Sequence, residues 1–215
     1  MATEPVPSRR ISGLVPDPRR EGVVQLQVDG RPLMSVPADL VGRLALRVGD
    51  PLPSDGHEVL CRAADTEAAY RTLLRSLERR PFACRDLARR LVLKGHPPEA
   101  ADLAVARAAQ AGLLDDERFA RHYIQTRAGR GRGPARLRRE LTGMGVLAAT
   151  VDRVLAEELP PEEDDVRIEA IARKRAAQLA DLPRVDRYRR LLGFLARKGY
   201  RGGRVRELAR KALDD

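Results

Sequence analysis

Residues 127–145 read Arg-Ala-Gly-Arg-Gly-Arg-Gly-Pro-Ala-Arg-Leu-Arg-Arg-Glu-Leu-Thr-Gly-Met-Gly. They join a basic, glycine-rich loop to a short helix, because Pro134 suits the first turn of a helix and Gly145 suits the left-handed residue that closes one. Leu137 and Leu141 are four residues apart, which places both on one face of that helix. The stretch therefore predicts a helix with one buried apolar face and arginines on its other faces.

Two leucines and a glycine, each four residues after the last, recur at offsets of 50 and 54 residues (137 minus 87 and 191 minus 137). The three copies are Leu87, Leu91 and Gly95; Leu137, Leu141 and Gly145; and Leu191, Leu195 and Gly199. Apolar stripes at helical spacing flank each copy, so each copy is the middle helix of a three-helix unit. Small helical units bury more apolar surface when they stack. We predict a mainly α fold of three tandem three-helix repeats in an elongated curved array, with a small N-terminal α+β extension.

Proline, glycine and acidic residues between the stripes set the predicted boundaries. Thr66 is the expected cap of the first helix of the first repeat. Pro160, Pro161 and the acids after them separate the second repeat from the third. The predicted segments are a flexible lead-in over residues 1–20, a β-hairpin with a short helix over 21–63, and three-helix repeats over 64–114, 115–161 and 162–215.

The N-terminal extension carries the only strand signals. Val24, Leu26 and Val28 alternate with glutamines, and Asp29-Gly30 suits a type I′ turn, in which both central residues have positive φ. Pro32 restricts the returning strand to a sheet edge. Pro37 then suits the first turn of a short helix.

The charge predicts a polyanionic or acidic partner. Lys and Arg number 41 against 31 acids, for a net charge of +10. Residues 118–139 hold eight arginines and no acid, whereas residues 1–60 hold seven bases and eight acids. Such an uneven excess favours phosphate contacts over a merely solvated surface. With no Trp, three Phe and four Tyr, binding of single strands by base stacking is poorly supported.

The candidate binding residues are cations on the middle helix of each repeat and on the segments beside it. If the repeats stack with a constant rotation, these faces join into one basic track; three separate solvated faces are the alternative. The candidates are Arg85, Arg89, Arg90, Lys94, Arg127, Arg130, Arg132, Arg136, Arg138, Arg139, Arg189, Arg190, Arg197, Lys198, Arg201 and Arg204.

No enzyme signature stands out, so we expect a non-enzymatic protein without a metal or other cofactor. His57, His96 and His122 lack the spacing of a zinc site, and the glycine-rich loop lacks the Gly-Lys-Ser/Thr of a phosphate-binding loop. Asp115, Asp116 and Glu117 are the right kind of residue for Mg²⁺, but capping of a helix explains them more simply. Two cysteines and no apolar span lead us to expect a cytoplasmic protein, and a monomer is favoured because each repeat finds its neighbour within the chain.

Three strings resemble the RecX family of regulators of the bacterial recombinase RecA. They are Leu87-x3-Leu91-x2-Lys94-Gly95, Gly112-Leu113-Leu114-Asp115-Asp116-x2-Phe119-Ala120, and Arg127-x3-Gly131 with Leu137-x2-Glu140-Leu141-x3-Gly145-Val146. The resemblance covers residues from about Val23 to the carboxyl terminus. Phe82-Ala83-Cys84-Arg85-Asp86 departs from the Ser-x-x-Glu that usually precedes the first leucine in this family, and the third repeat aligns least well.

The resemblance implies a modulator that lies in the groove of the RecA–DNA filament and lowers its ATPase, strand exchange and growth. It also implies DNA contact through phosphates, whether single- or double-stranded, and roles in recombination, repair and the SOS response. By position, Phe119, Arg127, Gly131, Leu137, Leu141 and Gly145 carry over. Most of them are expected to be structural, and Arg127 is the expected contact. Two other readings stay open: a free-standing, sequence-independent nucleic-acid binder, and a helical-repeat adaptor for an acidic protein.

Overall fold

The computed structural model describes residues 9–52 and 54–214. Its strands are β1 (Ile11–Pro16), β2 (Val23–Val28) and β3 (Arg31–Pro37). Its helices are α1 (Ala38–Arg43), α2 (Ser54–Leu77), α3 (Cys84–Leu93), α4 (Pro98–Gln110), α5 (Asp116–Ala128), α6 (Pro134–Gly143), α7 (Ala148–Glu158), α8 (Pro161–Ala177), α9 (Arg184–Lys198) and α10 (Gly203–Asp214). None of these helices is both long and apolar enough to cross a membrane.

The sheet at the amino-terminal end has three antiparallel strands in the order β1-β2-β3. The predicted turn is confirmed, since Asp29 and Gly30 have φ of 49° and 76°. Strand β3, which carries Pro32, lies at an edge as predicted. The flexible lead-in over residues 1–20 is wrong for residues 11–16, which form β1, while residues 1–8 lie outside the described part. The prolines and arginines around β1 hid a strand whose Ile11 is 1% exposed.

Helix α2 packs against both strand β3 and helix α4. It begins twelve residues before the expected cap at Thr66 (66 minus 54), so that prediction is wrong. The Thr66 hydroxyl instead donates to the Arg62 carbonyl oxygen at 2.8 Å inside the helix. The earlier start places Leu60 in the core beneath the sheet, where it is fully buried beside Leu26 and Val36. Burial of Leu60 extends the helix through residues whose local pattern did not predict one.

Within the described residues, the nine longer helices form three successive three-helix repeats, α2–α4, α5–α7 and α8–α10, as the leucine and glycine spacing predicted. All six skeleton leucines are at most 1% exposed. Gly95, Gly145 and Gly199 have φ of 91°, 93° and 101°, which is the left-handed conformation that favours glycine. After each glycine, the next residue donates its N–H to the carbonyl oxygen of the second leucine, at 3.0–3.2 Å. The same helix ending is therefore built three times.

Two details of the helical part differ from the sequence prediction. Pro161 and the acids after it do not separate the second and third repeats, because α8 already begins at Pro161, where negative charge suits a helix start. The sequence predicts Leu103 on the apolar stripe of α4, with Ala101, Ala104 and Ala108, but Leu103 is 50% exposed and the buried stripe consists of alanines. Alanine lets α2 and α4 approach closely, and the larger side chain is left outside.

The chain divides into two compact units. The first comprises residues up to Arg80 together with Leu87–Leu113, and it holds the sheet and the α2–α4 contacts. The second comprises Pro81–Asp86 and the residues from Leu114 onward, and it holds the second and third repeats. Each of these two repeats has its own apolar cluster, the former centred on Ile124, Leu137 and Leu141 and the latter on Leu191 and Leu195.

Candidate nucleic-acid and partner interface

The glycine-rich loop is held between the second and third repeats by direct backbone contacts. The Gly133 N–H donates to the Lys198 carbonyl oxygen at 2.7 Å, and the Ala135 N–H donates to the Gly199 carbonyl oxygen at 3.3 Å. A Cβ atom on Gly133 would lie 2.8 Å from the Gly199 carbonyl carbon. Glycine is therefore required at this crossing, and the loop has a fixed position relative to α9.

A carboxylate inside the second repeat holds two of the predicted contact arginines. Glu140 accepts from Arg132 at 2.7 Å, from Arg136 at 2.9 Å and from the Tyr123 hydroxyl at 2.9 Å. Burial alone would raise the pKa of Glu140, but the hydrogen bonds from these three groups outweigh it and hold that pKa below its usual range. Arg136 also lies against Gly199. Arg132 and Arg136 thus fix the loop and α6 in place.

Three more candidates have their charge balanced by a nearby carboxylate. Arg138 makes a bidentate pair with Asp152, at 2.6 and 2.9 Å. Arg189 pairs with Asp186 at 3.0 Å, and Arg204 contacts Asp165 at 2.8 Å. All three side chains are about half exposed or more, so the pairs are weak and an incoming anion can compete for them.

The remaining candidates differ in what they contact. Arg89 and Arg90 are exposed and engaged in interactions, and Lys94 donates to the Ser76 hydroxyl at 3.3 Å. The side chain of Arg85 lies against Gly145 within the second unit. Arg127 lies over the Tyr123 ring, 5.3 Å from its centroid. In the described part of the chain, ion pairs are absent from Arg85, Arg127, Arg130, Arg139, Arg190, Arg197, Lys198 and Arg201.

Two cations that the sequence reasoning missed, Lys174 and Arg175 on α8, come together with two that it selected, Arg130 and Lys198. All four line a cavity of about 400 Å³ within the second unit. The signal available in the sequence was the run Arg173-Lys174-Arg175 beside the apolar stripe of α8. That run lies on the first helix of its repeat, whereas the predicted contacts lie on the middle helices and the segments beside them.

The acids at the start of α5 are occupied by structural contacts. Asp115 accepts the Glu117 and Arg118 N–H groups at 2.9 and 3.0 Å, so it caps the helix as predicted. Asp116 accepts the Cys84 N–H at 2.8 Å, and Glu117 pairs with Arg153 at 2.6 Å. The hydrogen bond from Arg153 lowers the pKa of Glu117 to about 2.

Comparison with known proteins places this arrangement in a family. A family model described as "RecX, second three-helix domain" matches residues 115–155, which contain α5 and α6 and most of α7. The regulatory protein RecX of Streptomyces coelicolor is 38% identical over 151 residues, covering 69% of this chain and 79% of that protein. The chain belongs to the RecX family. The regulatory protein RecX of Halorhodospira halophila is 34% identical over 158 residues, covering 71% and 92% of the two chains.

Solved RecX structures share the fold. A crystal structure of regulatory protein RecX superposes with a TM-score of 0.77 at 21% identity, covering 94% of this chain and 99% of that one. RecX from Lactobacillus salivarius superposes with a TM-score of 0.61 at 15% identity, covering 70% and 97% of the two chains. Helical repeats with a small antiparallel sheet are therefore the architecture of this RecX family member.

Most of the residues carried over from the RecX resemblance are structural. Phe119 is 8% exposed, and Leu137 and Leu141 are fully buried in the core of the second repeat. Gly145 closes α6 in the left-handed conformation. Arg127, in contrast, is half-buried and its guanidinium contacts a ring instead of a carboxylate. Its role as a contact stays a prediction.

Proposed function

We propose that this RecX family member binds in the groove of the RecA–DNA filament and lowers its ATPase activity, strand exchange and growth. Membership of a family of regulatory proteins supports a regulatory role over a catalytic one. The RecA filament is the partner that the family resemblance implies. The net charge of +10 suits a partner that carries DNA phosphates.

The observation that carries the proposal is that some arginines around α6 pair with a carboxylate and others do not. Arg132 and Arg136 form ion pairs with Glu140, whereas Arg130 and Arg139 are exposed and form no ion pair within the described residues. Exposed arginines without an internal partner are the groups that can release counterions from a phosphate backbone. These two side chains are therefore the proposed contacts of the second repeat.

The proposal is tested with RecA assembled on single-stranded DNA in the presence of ATP. Addition of the protein should lower ATP hydrolysis and strand exchange. Unchanged rates at a stoichiometric excess would contradict the proposal. If the protein instead binds naked DNA tightly, with a steep salt dependence and no requirement for RecA, it is a free-standing nucleic-acid binder. The net charge favours that second function.

A matched pair of variants separates the proposed contacts from charge in general. Arg130→Ala with Arg139→Ala removes two unpaired cations, and Arg138→Ala with Arg189→Ala removes two exposed cations that already have a carboxylate partner. The first variant should need more protein to inhibit RecA, and its DNA binding should lose about one unit of salt slope per phosphate contact. Equal losses in both variants would show that position does not matter.

A further inference from the structure

A cavity between the glycine-rich loop and the third repeat has the composition of an anion site. Residues 129–131 of the loop form one wall, α8 contributes Lys174 and Arg175, and α9 contributes Phe194 and Lys198. Four of the lining side chains are cationic and none is a carboxylate. All of these residues belong to the second unit.

Within the described residues, no carboxylate neutralises the cationic side chains of this cavity, and an aromatic ring orients two of them. Arg130 and Lys174 form no ion pair among the residues that the structure describes. Arg175 and Lys198 lie over the Phe194 ring, 5.3 and 5.8 Å from its centroid, and such contacts orient a cation while leaving its charge in place. The only hydrogen bond of the Arg175 guanidinium among described residues runs to the Gln178 amide oxygen at 2.8 Å, and its buried Nε has no acceptor. A buried N–H without an acceptor favours an incoming anion.

Side chains, not backbone amides, are the donors of this cavity. The N–H groups of Arg130 and Gly131 already bond to the carbonyl oxygens of Arg127 and Ala128, at 3.1 and 2.8 Å. Gly131 has a φ of 74°, and a Cβ there would lie 3.3 Å from the Ile171 side chain. Glycine thus brings the loop close to α8 and keeps Arg130 beside the cavity. The site differs from a loop that cradles phosphate with its backbone.

We propose that this cavity binds a backbone phosphate of a nucleic-acid strand. The inference rests on the proposed contact with DNA and names the place where the second and third repeats share one phosphate. Two of the four cations are lysines, which act on phosphate as point charges, whereas planar carboxylates favour paired arginines. Arg190 lies eight residues before Lys198 on α9, roughly 12 Å along the helix axis and about 80° around it, so α9 carries a further cation outside the cavity. Cations both inside and outside the cavity suit a polymer better than a single small anion.

The first test compares two doubly substituted proteins of equal charge. Lys174→Gln with Lys198→Gln alters the cavity, while Arg206→Gln with Lys211→Gln alters α10, none of whose residues lines it. Binding of a fluorescent oligothymidylate is followed by anisotropy over a range of salt concentrations. The cavity variant should lose about 0.7 units of salt slope for each phosphate contact removed. An equal change in the α10 variant would overturn the proposal.

The second test measures whether a ligand protects the lysines of the cavity in the unaltered protein. Lys174, Lys198 and Lys211 are acetylated with an amine-specific reagent, and the extent at each is measured by mass spectrometry. Oligothymidylate should protect Lys174 and Lys198 but not Lys211. Protection by polyglutamate alone would assign the cavity to an acidic protein, and protection by inorganic phosphate alone would assign it to a small anion. Either outcome, or no protection by any probe, overturns the proposal.

The two proposals fail in different ways. If the cavity variant binds oligothymidylate and inhibits RecA as the unaltered protein does, the phosphate site is wrong and the regulatory function stands. If the unaltered protein leaves RecA unaffected while oligothymidylate still protects Lys174 and Lys198, the phosphate site stands and the regulatory function is wrong.

Discussion

Gly133 is the position where the second and third repeats depend most on the absence of a side chain. Its φ of −84° suits any residue, so replacement by alanine introduces no backbone strain of its own. The added methyl would instead lie 2.8 Å from the Gly199 carbonyl carbon and 2.9 Å from the Tyr200 ring. Gly133→Ala therefore tests the contact between repeats, once the general effect of replacing glycine by alanine is subtracted with a control.

The size of the effect follows from these contacts. The optimal van der Waals separation of two non-bonded carbon atoms is about 3.5–4.0 Å, so the loop at Gly133 and the segment at Gly199 must separate by about 0.7 Å. That separation breaks or stretches the bonds from Gly133 to Lys198 and from Ala135 to Gly199. Overpacking and weakened buried hydrogen bonds together should lower the free energy of unfolding by roughly 2–4 kcal/mol.

Urea unfolding followed by circular dichroism measures the change, and Gly143→Ala is the matched control. Gly143 lies at the end of α6 with no atom within 4 Å of an added Cβ, so alanine there should stabilise by about 0.5–1 kcal/mol. With a denaturant slope of about 2 kcal/mol per molar, Gly133→Ala should lower the unfolding midpoint by roughly 1–2 M.

A third measurement separates a local loss from a general one. Amide hydrogen exchange at position 133 and at Ala135 should accelerate in Gly133→Ala, while exchange at Leu141 should change less. The reasoning is refuted if Gly133→Ala unfolds at the same urea concentration as the unaltered protein. It is also refuted if Gly143→Ala is destabilised as much, because the loss would then come from any methyl in this segment.

Three further predictions concern charged and titratable groups. Glu140 and Glu117 have folded-state pKa values below the ordinary 4.5, and that of Glu117 is about 2. The stability that these carboxylates contribute is therefore complete above pH 4.5 and is lost as the pH falls toward 2. Urea midpoints should fall across this pH range, and the fall should be smaller in Glu140→Gln. Burial and then Asp116 raise the pKa of the Cys84 thiol to about 11, so its alkylation at pH 8 should be slow and should accelerate in Asp116→Asn. Asp115→Ala removes the cap of α5 and should cost about 1 kcal/mol in urea unfolding, without changing the helical content of the other repeats.

The sequence predicted the features that local chemistry determines. Four-residue spacing put Leu137 and Leu141 on one face, and both are fully buried. Asp29-Gly30 required two positive φ angles, and both are present. In each case the residue type or the period permits few conformations, so no knowledge of the tertiary structure was needed.

The features that the sequence missed depend on contacts between distant residues. Strand β1 is short and lies among prolines, and it is stabilised by pairing with β2. The first twelve residues of α2 are helical because Leu60 is buried under the sheet, not because of their own pattern. The cavity brings together residues 129–131 with residues on α8 and α9, forty or more positions away. A local sequence pattern cannot predict that residues so far apart in the chain lie together.

The structure also changes which arginines a mutational test of binding must use. Removing Arg130, Arg132, Arg136 and Arg139 together would mix two effects, because Arg132 and Arg136 hold Glu140 while the other two do not. Loss of the first pair leaves a half-buried carboxylate whose one remaining side-chain partner among the described residues is the Tyr123 hydroxyl, which destabilises the second repeat. Arg130→Ala with Arg139→Ala should therefore weaken binding at constant stability, and Arg132→Ala with Arg136→Ala should lower the urea midpoint first. If the second pair weakens DNA binding while its urea midpoint stays unchanged, these arginines are contacts after all and Glu140 does not control them.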